Sequence, residues 1–347
     1  MAPPRADLRR RAVQASLSAA VLVMGCPAPA AYAAEPRVLC TVKGDVLDEL
    51  SGLASNGREL FAVNDGGAQV EVVVLDRDCR PKRTITAPID PYDVEDLALD
   101  SDGVLWLSDT GDNRKARETV AVIRVRQDGQ ASLHRLTYPD GQHDTEAILL
   151  DRRGVPHLVT KHVLGQSKVY RPTGPLRSPG PTPLEQVATV GFGVTDTPGG
   201  PPEAGSVGSM LVTGGAVSHD GKVVALRTYT DVYLFPAPDG DVVAALGRES
   251  VRIPLPDEPQ GEAIAFDPDG TLLSGSEGLD QPIRAIADAA SVVAAAPPAD
   301  AQSTESKTET DSEEHSSLPA LAVAAIAVAA LWLGLGRVRR ARQRARH

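Results

Sequence analysis

VEDLALDSDGVLWLSDT, Val94 to Thr110, has the pattern of an apolar strand, a tight turn and a second apolar strand. Gly103 stands in the turn, where a residue free to adopt positive φ is needed, and Leu105, Trp106 and Leu107 carry the chain back. Four other stretches align with it on a glycine: ELSGLASNGRELFAVND (Glu49 to Asp65), DTEAILLDRRGVPHLVTK (Asp144 to Lys161), MLVTGGAVSHDGKVVALRT (Met210 to Thr228) and GEAIAFDPDGTLLSGSE (Gly261 to Glu277). The aligned glycines, Gly57, Gly103, Gly154, Gly221 and Gly270, are spaced 46, 51, 67 and 49 residues apart. A hairpin recurring at such an interval marks a repeat architecture.

Further strands fill the gaps, among them VEVVVLD, RTITAPI, TVAVIRV, SLHRLTY, EQVATV, DVYLFPA and ESVRIPL. Four short antiparallel strands per roughly 50 residues is the arithmetic of a propeller blade, and closing blades into a ring removes most exposed edges. The expected fold is all-β, a β-propeller over residues 35–289. These divide into five blades of about 51 or six of about 42, both near known propeller periods. Five is favoured, because the longest interval holds the Pro/Gly-rich stretches RPTGPLRSPGPTPLE and VTDTPGGPPEAGSVG in place of strands. Two sandwich domains are the all-β alternative, but sandwiches impose no hairpin at this interval. Only PIRAIA follows the last hairpin, so the early strand RVLCTV is expected to complete the final blade. Cys40 in that strand and Cys79 after VEVVVLD are expected to pair as a disulfide, a bond that persists in exported proteins.

The chain has 347 residues, 42% of them hydrophobic, and a formal net charge of −11. That suffices for a sizeable core, while three cysteines are too few for a disulfide scaffold and the acidity excludes nucleic acid as an expected partner. Residues 1–33 carry Arg5, Arg9, Arg10 and Arg11, the apolar run AVQASLSAAVLVMG and the A-x-A pattern Ala31-Tyr32-Ala33, as a secretory signal peptide does. Val23-Met24-Gly25-Cys26 is the competing lipobox reading, with Cys26 lipidated. Residues 318–336 form a run of 19 without charge, about 28 Å as a helix, which is long enough to span a bilayer. The tail 337–347 brings six arginines, so it is expected in the cytoplasm and the propeller outside a bacterial cell membrane, held by this single C-terminal transmembrane helix. Residues 291–317, rich in Ala, Pro, Ser, Thr and acids, are expected to be a solvated, disordered stalk. Without the four Arg and one Asp of the leader and the six Arg of the tail, the charge of −11 becomes −20, a surface compatible with divalent cations.

In a propeller the start of a blade's first strand and the end of its second share one rim. Eight residues before the aligned glycine stand Glu95, Glu146 and Glu262, with Thr213 at that place in the fourth unit and Glu49 near it in the first. The other hairpin ends bring Asp65, Asp109, Lys161, Arg227 with Tyr229, and Glu277. The expected ligand rim is therefore Asp65, Glu95, Asp109, Glu146, Lys161, Arg227, Tyr229, Glu262 and Glu277. A ring of carboxylates needs a cation or a nearby Lys or Arg to offset its repulsion, and hard oxygen ligands suit Ca²⁺. Candidate metal ligands are Glu95, Glu146, Glu262, Asp109 and Asp112, the last two from the loop SDTGDNRKAR. The plainer role for each Glu is to accept backbone N–H groups at a blade junction, and Asp-x-Gly-Asp-Asn strings also make ordinary Asx-turns.

The units VEDLALDSDGVLWLSDTGDNR, VTGGAVSHDGKVVALRTYTDVYLF and GEAIAFDPDG resemble bacterial exported propellers of the esterase-like or phytase-like, WD40-type group, over roughly Val38 to Ile286. That resemblance implies a propeller and a Ca²⁺-dependent ester hydrolase. The D-A-A-D-D-P-A and N-N-V-D-I-R segments of calcium-dependent propeller phytases do not occur here, nor does G-x-S-x-G. The function expected first is therefore a membrane-anchored surface propeller that binds a small ligand, a divalent cation or an envelope partner at its channel rim. The alternative is a Ca²⁺-dependent hydrolase of phosphate or carboxylic esters with Glu146, Lys161 and Arg227 as its candidate catalytic residues.

Overall fold

A computed structural model describes residues 35–295. The expected signal peptide, transmembrane run and arginine tail lie outside the described residues, as does the stalk beyond residue 295. No helix among the described residues is long and apolar enough to cross a membrane.

The chain opens with β1 (Arg37–Thr41) and then repeats one plan. β2 (Leu50–Ser55), β3 (Leu60–Asn64), β4 (Val70–Leu75) and β5 (Pro81–Ala87) form an antiparallel sheet in sequence order. β6 (Val94–Leu99), β7 (Leu105–Asp109), β8 (Val120–Val125) and β9 (Ala131–Thr137) pair likewise, as do β10 (Thr145–Leu150), β11 (Pro156–Thr160), β12 (Gln166–Pro172) and β13 (Thr182–Gly191). β14 (Val212–Val217), β15 (Val223–Thr228), β16 (Asp231–Pro236) and β17 (Val251–Pro254) follow. The last array is β18 (Gly261–Phe266), β19 (Leu272–Ser276) and β20 (Pro282–Ile286), with β1 added antiparallel to β20 as its outer strand.

Among the described residues the hydrogen-bonded sheets number four, because the second and third arrays merge into one eight-stranded sheet. The Pro/Gly-rich stretch before β13 folds back on β9, where Pro179 O accepts from Arg135 N at 2.7 Å, and β13 then pairs in parallel with β9 through Thr182↔Leu136 and Pro183↔Thr137. The other Pro/Gly stretch includes a 3₁₀ turn at Gly205–Met210. Two short helices also depart from the all-strand expectation. α1 (Val242–Leu246) is capped by Asp241, whose side chain accepts from Ala244 N. α2 (Ala289–Ala295) buries Ala289, Val292 and Val293, so the folded part runs past residue 291 into the expected stalk.

Period-two alternation closes the ring. Phe61 and Val63 of β3 face the second array and join Val94, Leu107 and Ile123, while Leu60 and Ala62 of the same strand join Leu273 and Ile283 of the last array. On β7, Leu105 and Leu107 face the first array, while Trp106, with Val104 just before the strand, packs with Ile148 and Tyr170 of the third. Leu149 and Val159 then meet Leu226 and Phe235, and Ala225 and Leu234 meet Ile264 and Leu272. Every interface between neighbouring arrays thus has its own apolar cluster, as the two-faced burial of a propeller strand demands.

At the axis the inner strands β2, β6, β10, β14 and β18 converge. Gly52 lies so close to β6 that a Cβ would overlap the Leu97 backbone nitrogen, and Gly214 presses equally on Glu262 O. Asp96, fully buried here, accepts from Leu97 N at 2.8 Å, Ile148 N at 2.9 Å and Gly215 N at 3.1 Å, tying three arrays together. Cys40 on β1 and Cys79 in the β4–β5 turn form a disulfide with Cα atoms 5.6 Å apart, which links the closing strand to the first array. Loop-closure entropy for a separation of 39 residues corresponds to about 4 kcal/mol. Cys40→Ser is therefore expected to lower the melting temperature by roughly 10 °C. An unchanged melt would show that closure does not depend on the bridge.

Candidate functional site

Pairing along every inner strand slips at its second residue, between Leu50 and Gly52, Val94 and Asp96, Thr145 and Ala147, Val212 and Gly214, and Gly261 and Ala263. The residues left at these bulges are Ser51, Glu95, Glu146, Thr213 and Glu262. A bulge leaves its extra residue unpaired and re-aims the side chain. Ser51, and not Glu49, is the counterpart in the first array: its hairpin connection, residues 56–59, is one residue shorter than the others and carries its glycine earlier.

The hydroxyls at this position are struts. Ser51 Oγ donates to Val94 O and Thr213 Oγ1 to Gly261 O, both at 2.8 Å and both to the first residue of the next inner strand. Thr110 Oγ1 serves the third array by donating to Thr145 O at 2.8 Å. Two of the three glutamates converge instead. Ligand atoms of Glu95, Asp144 and Glu146 all lie within 4.8 Å of one another, and all three side chains are buried. Glu95 Oε1 has no hydrogen-bond partner. Burial pushes the Glu95 pKa well up, and Glu146, Asp93, Asp144 and Asp65 reinforce the shift. Asp144 is pushed up to about 7 by burial and by Glu146, against the pull of Lys161. A Cβ at Gly111 would overlap Glu95 Oε1 and the Asp93 carboxylate, so any larger residue at this point of the loop after β7 would force these carboxylates to shift.

Lys161, following β11, completes the cluster. Its Nζ lies 3.0 Å from Glu146 Oε1 and 5.0 Å from the centroid of the Tyr229 ring. Burial pulls this ammonium's pKa down, but Glu146, Tyr229, Glu262 and Asp144 outweigh it and hold the value well above the ordinary one. Burial likewise drives the Tyr229 phenol well up. The connector between β13 and β14 wraps this tyrosine, with Gly200 and Gly208 against it and Ala204 and Leu211 packed beside it.

The other expected rim residues have different tasks. Arg227 is fully buried and its guanidinium is spent on Glu258 at 2.8 Å, on Ser274 Oγ and on carbonyls of Thr228, Tyr229, Ala263 and Gly275. It ties the fourth array to the fifth. Asp109 accepts from Tyr92 N, Asp93 N and Arg117 Nη2, and Asp112 accepts from Ala116 N and Arg117 N, so both organise the SDTGDNRKAR loop and do not join the carboxylate group. Glu262 stands apart from the trio: it accepts from Gln260 Nε2 at 3.1 Å, and the same amide reaches Glu277. Asp65 contributes at the edge, as one of the charges acting on Glu95. Asp144 was missed as a member of the carboxylate group because it precedes the repeat position, although its place in Asp144-Thr145-Glu146 puts two carboxylates at one strand start. Asp96 was missed beside Glu95, where alternation alone would bury an apolar side chain.

No family model matches the chain, and no curated protein matches it. Solved structures do. A gluconolactonase from Xanthomonas campestris is 15% identical, with 75% of this chain and 99% of that one covered and a TM-score of 0.43. The PQQ-bound aldose sugar dehydrogenase from Streptomyces coelicolor is 12% identical over 74% and 98% of the two chains, at a TM-score of 0.40. A catalytically inactive virginiamycin B lyase from Staphylococcus aureus with quinupristin is 13% identical over 68% and 66%, at 0.34. At these scores the propeller assignment rests on the strand topology.

The raised Asp144 pKa has a definite sign. Folded Asp144 keeps its proton to a pH of about 7, whereas an aspartate in the unfolded chain gives it up near 3.8, so this group's contribution to stability is lost as pH rises through that window. In metal-free buffer, Asp144→Asn should therefore gain melting temperature relative to the wild type between about pH 4 and pH 7. A difference that stays flat with pH would refute the assignment.

Proposed function

We propose that the chain is a five-bladed propeller, each four-stranded array being one blade, whose rim binds a divalent cation and through it a small oxygen-bearing ligand. The observation that carries this reading is Glu95, a buried carboxylate whose Oε1 has no hydrogen-bond partner, set among Asp144 and Glu146 against the loop that carries Gly111. Burying such charges side by side is costly unless a counter-charge offsets them. Lys161 offsets Glu146, and a cation would offset the remainder. Three carboxylates are a hard donor set that suits Ca²⁺, with Glu95, Asp144 and Glu146 holding it. The bound ion would supply a Lewis-acidic contact for a ligand oxygen. Lys161 places a fixed ammonium beside that position, and Tyr229 holds the lysine in place.

A binding role is preferred to ester hydrolysis. The hydrolase reading needs Lys161 and Arg227 together at a developing oxyanion, and Arg227 is committed to Glu258. Anchoring belongs to the same proposal: residues 318–336 span the membrane and the propeller faces outward. β1 starts and β20 ends at the face opposite the carboxylates, so both ends of the propeller leave from that face and the rim points away from the tether.

Calcium at a hundredfold excess over its Kd is expected to raise stability by about 2.7 kcal/mol, or roughly 5–10 °C in melting temperature, reversed by EDTA. Glu95→Gln should remove most of that response while making the metal-free protein at pH 8 no less stable, because it deletes one of the repelling charges. A calcium response retained in full by Glu95→Gln would overturn the site. Turnover of a model ester that is lost in Lys161→Ala would replace binding by hydrolysis.

A further inference from the structure

The loop after β7, SDTGDNRKAR, meets two of the three carboxylates with its backbone. Gly111 lies against Glu95 Oε1, and its amide nitrogen donates to Asp93 O at 3.1 Å. The next amide, Asp112 N, donates to Asp144 Oδ1 at 2.8 Å. One short turn therefore touches Glu95 on the second blade and Asp144 at the entrance to the third. Among the described residues, those from 110 to 119 supply no side chain to the apolar clusters between blades, so polar contacts fasten this loop.

Arg117 joins those contacts at three points. Its Nη1 donates to Gly111 O at 2.8 Å, Nη2 donates to Asp109 Oδ1 at 3.1 Å, and the guanidinium lies 4.6 Å from the centroid of the Tyr92 ring. Its backbone N–H closes the turn on Asp112 Oδ2 at 2.8 Å. The Asp109 oxygen that it meets also accepts from Tyr92 N and Asp93 N. One side chain thus links the end of β7, the approach to β6 and the turn that lies on Glu95. A planar fork makes two such bonds in fixed directions at once, whereas an ammonium is a point charge.

We propose that Arg117 is the positioning residue of the cation site, holding the loop so that Gly111 and the Asp112 amide keep the carboxylates of Glu95 and Asp144 together before the ion arrives. The inference rests on the cation reading of Glu95, Asp144 and Glu146. Carboxylates this close repel one another. With the loop released, Asp144 would turn toward solvent, and the ion would have to gather its ligands as well as bind them. Groups outside a ligand set that orient it are worth roughly 10- to 100-fold in metal affinity. By linkage, calcium holds the loop closed by the same factor by which the closed loop favours calcium.

The test reads calcium affinity by titration calorimetry and loop closure by hydrogen exchange with mass spectrometry, both on the full-length protein in zwitterionic detergent. In the metal-free protein, Arg117→Gln should speed exchange across residues 110–117 about tenfold while the inner strands keep their protection. Its calcium Kd should rise about tenfold or more, and that of Arg117→Lys roughly threefold, since lysine keeps the charge and loses the fork. Calcium should slow exchange of the same residues in the wild type. Arg77→Gln controls for lost stability: Arg77 pairs with Asp267 at 2.6 Å, just beyond the end of β18 at the opposite face. It should lower the melt and leave the calcium Kd unchanged. Unchanged exchange in Arg117→Gln, or wild-type calcium affinity in that variant, would overturn the inference and leave the cation site standing. An equal loss of affinity in Arg77→Gln would do the same by making the effect one of global stability. Should Arg117→Gln not fold, a wild-type Kd in Arg117→Lys would overturn it. A wild type that binds no calcium would remove the cation reading, and this inference with it.

Discussion

Convergence of the inner strands on one axis is the constraint from which the remaining features follow. Backbones approach so closely there that Gly52 and Gly214 have no room for a side chain. The space is bridged at the centre by Asp96, whose carboxylate takes three backbone N–H groups from three blades. Burial pushes its pKa well up, while those N–H groups oppose the shift. Deleting an acceptor that satisfies several buried donors costs more than the net worth of one hydrogen bond.

The bulges are the second consequence of that geometry. A regular ladder would leave the second residue of each inner strand aimed along the pleat. The slip found in every blade releases it, and the side chain then decides its use. A short hydroxyl reaches the neighbouring carbonyl and fastens the junction, as Ser51 and Thr213 do. A glutamate is too long for that strut and extends into the rim. Glu95 and Glu146 lie on adjacent blades and meet, with Asp144 supplying the third carboxylate from the strand entrance. Glu262 is two blades away from Glu146 and finds Gln260.

Much of this was legible in the sequence. The repeated hairpins, the closing strand and the Cys40 to Cys79 pairing all depend on local patterns of apolar residues, turns and spacing, and such patterns survive translation into a string of letters. The eight-stranded merger did not, because the pairing of just Thr182 and Pro183 with β9 leaves no periodic trace. Rim assignments divided along a similar line. Repeat position places Glu95 and Glu146 on adjacent blades at one rim, where their carboxylates lie near each other with Lys161 beside Glu146. It misjudged Arg227 because a charge at a strand end looks the same whether it meets solvent or Glu258, and it misjudged Asp109 and Asp112 because their hydrogen bonds to Asp93, Ala116 and Arg117 depend on how one loop folds on itself. The repeat alignment also passed over Ser51, since it counted from a glycine whose turn is shorter than the rest.

The decisive question is whether the carboxylates of adjacent blades share an ion. Crystals of the protein grown with manganese in place of calcium, measured at the manganese absorption edge, address this directly. A single anomalous peak within coordination distance of Glu95, Asp144 and Glu146, absent in crystals of Glu95→Gln, is the predicted result. Crystals of the wild type that show no peak at these three residues, with Glu95 and Asp144 instead bonded to one another through a shared proton, would contradict it.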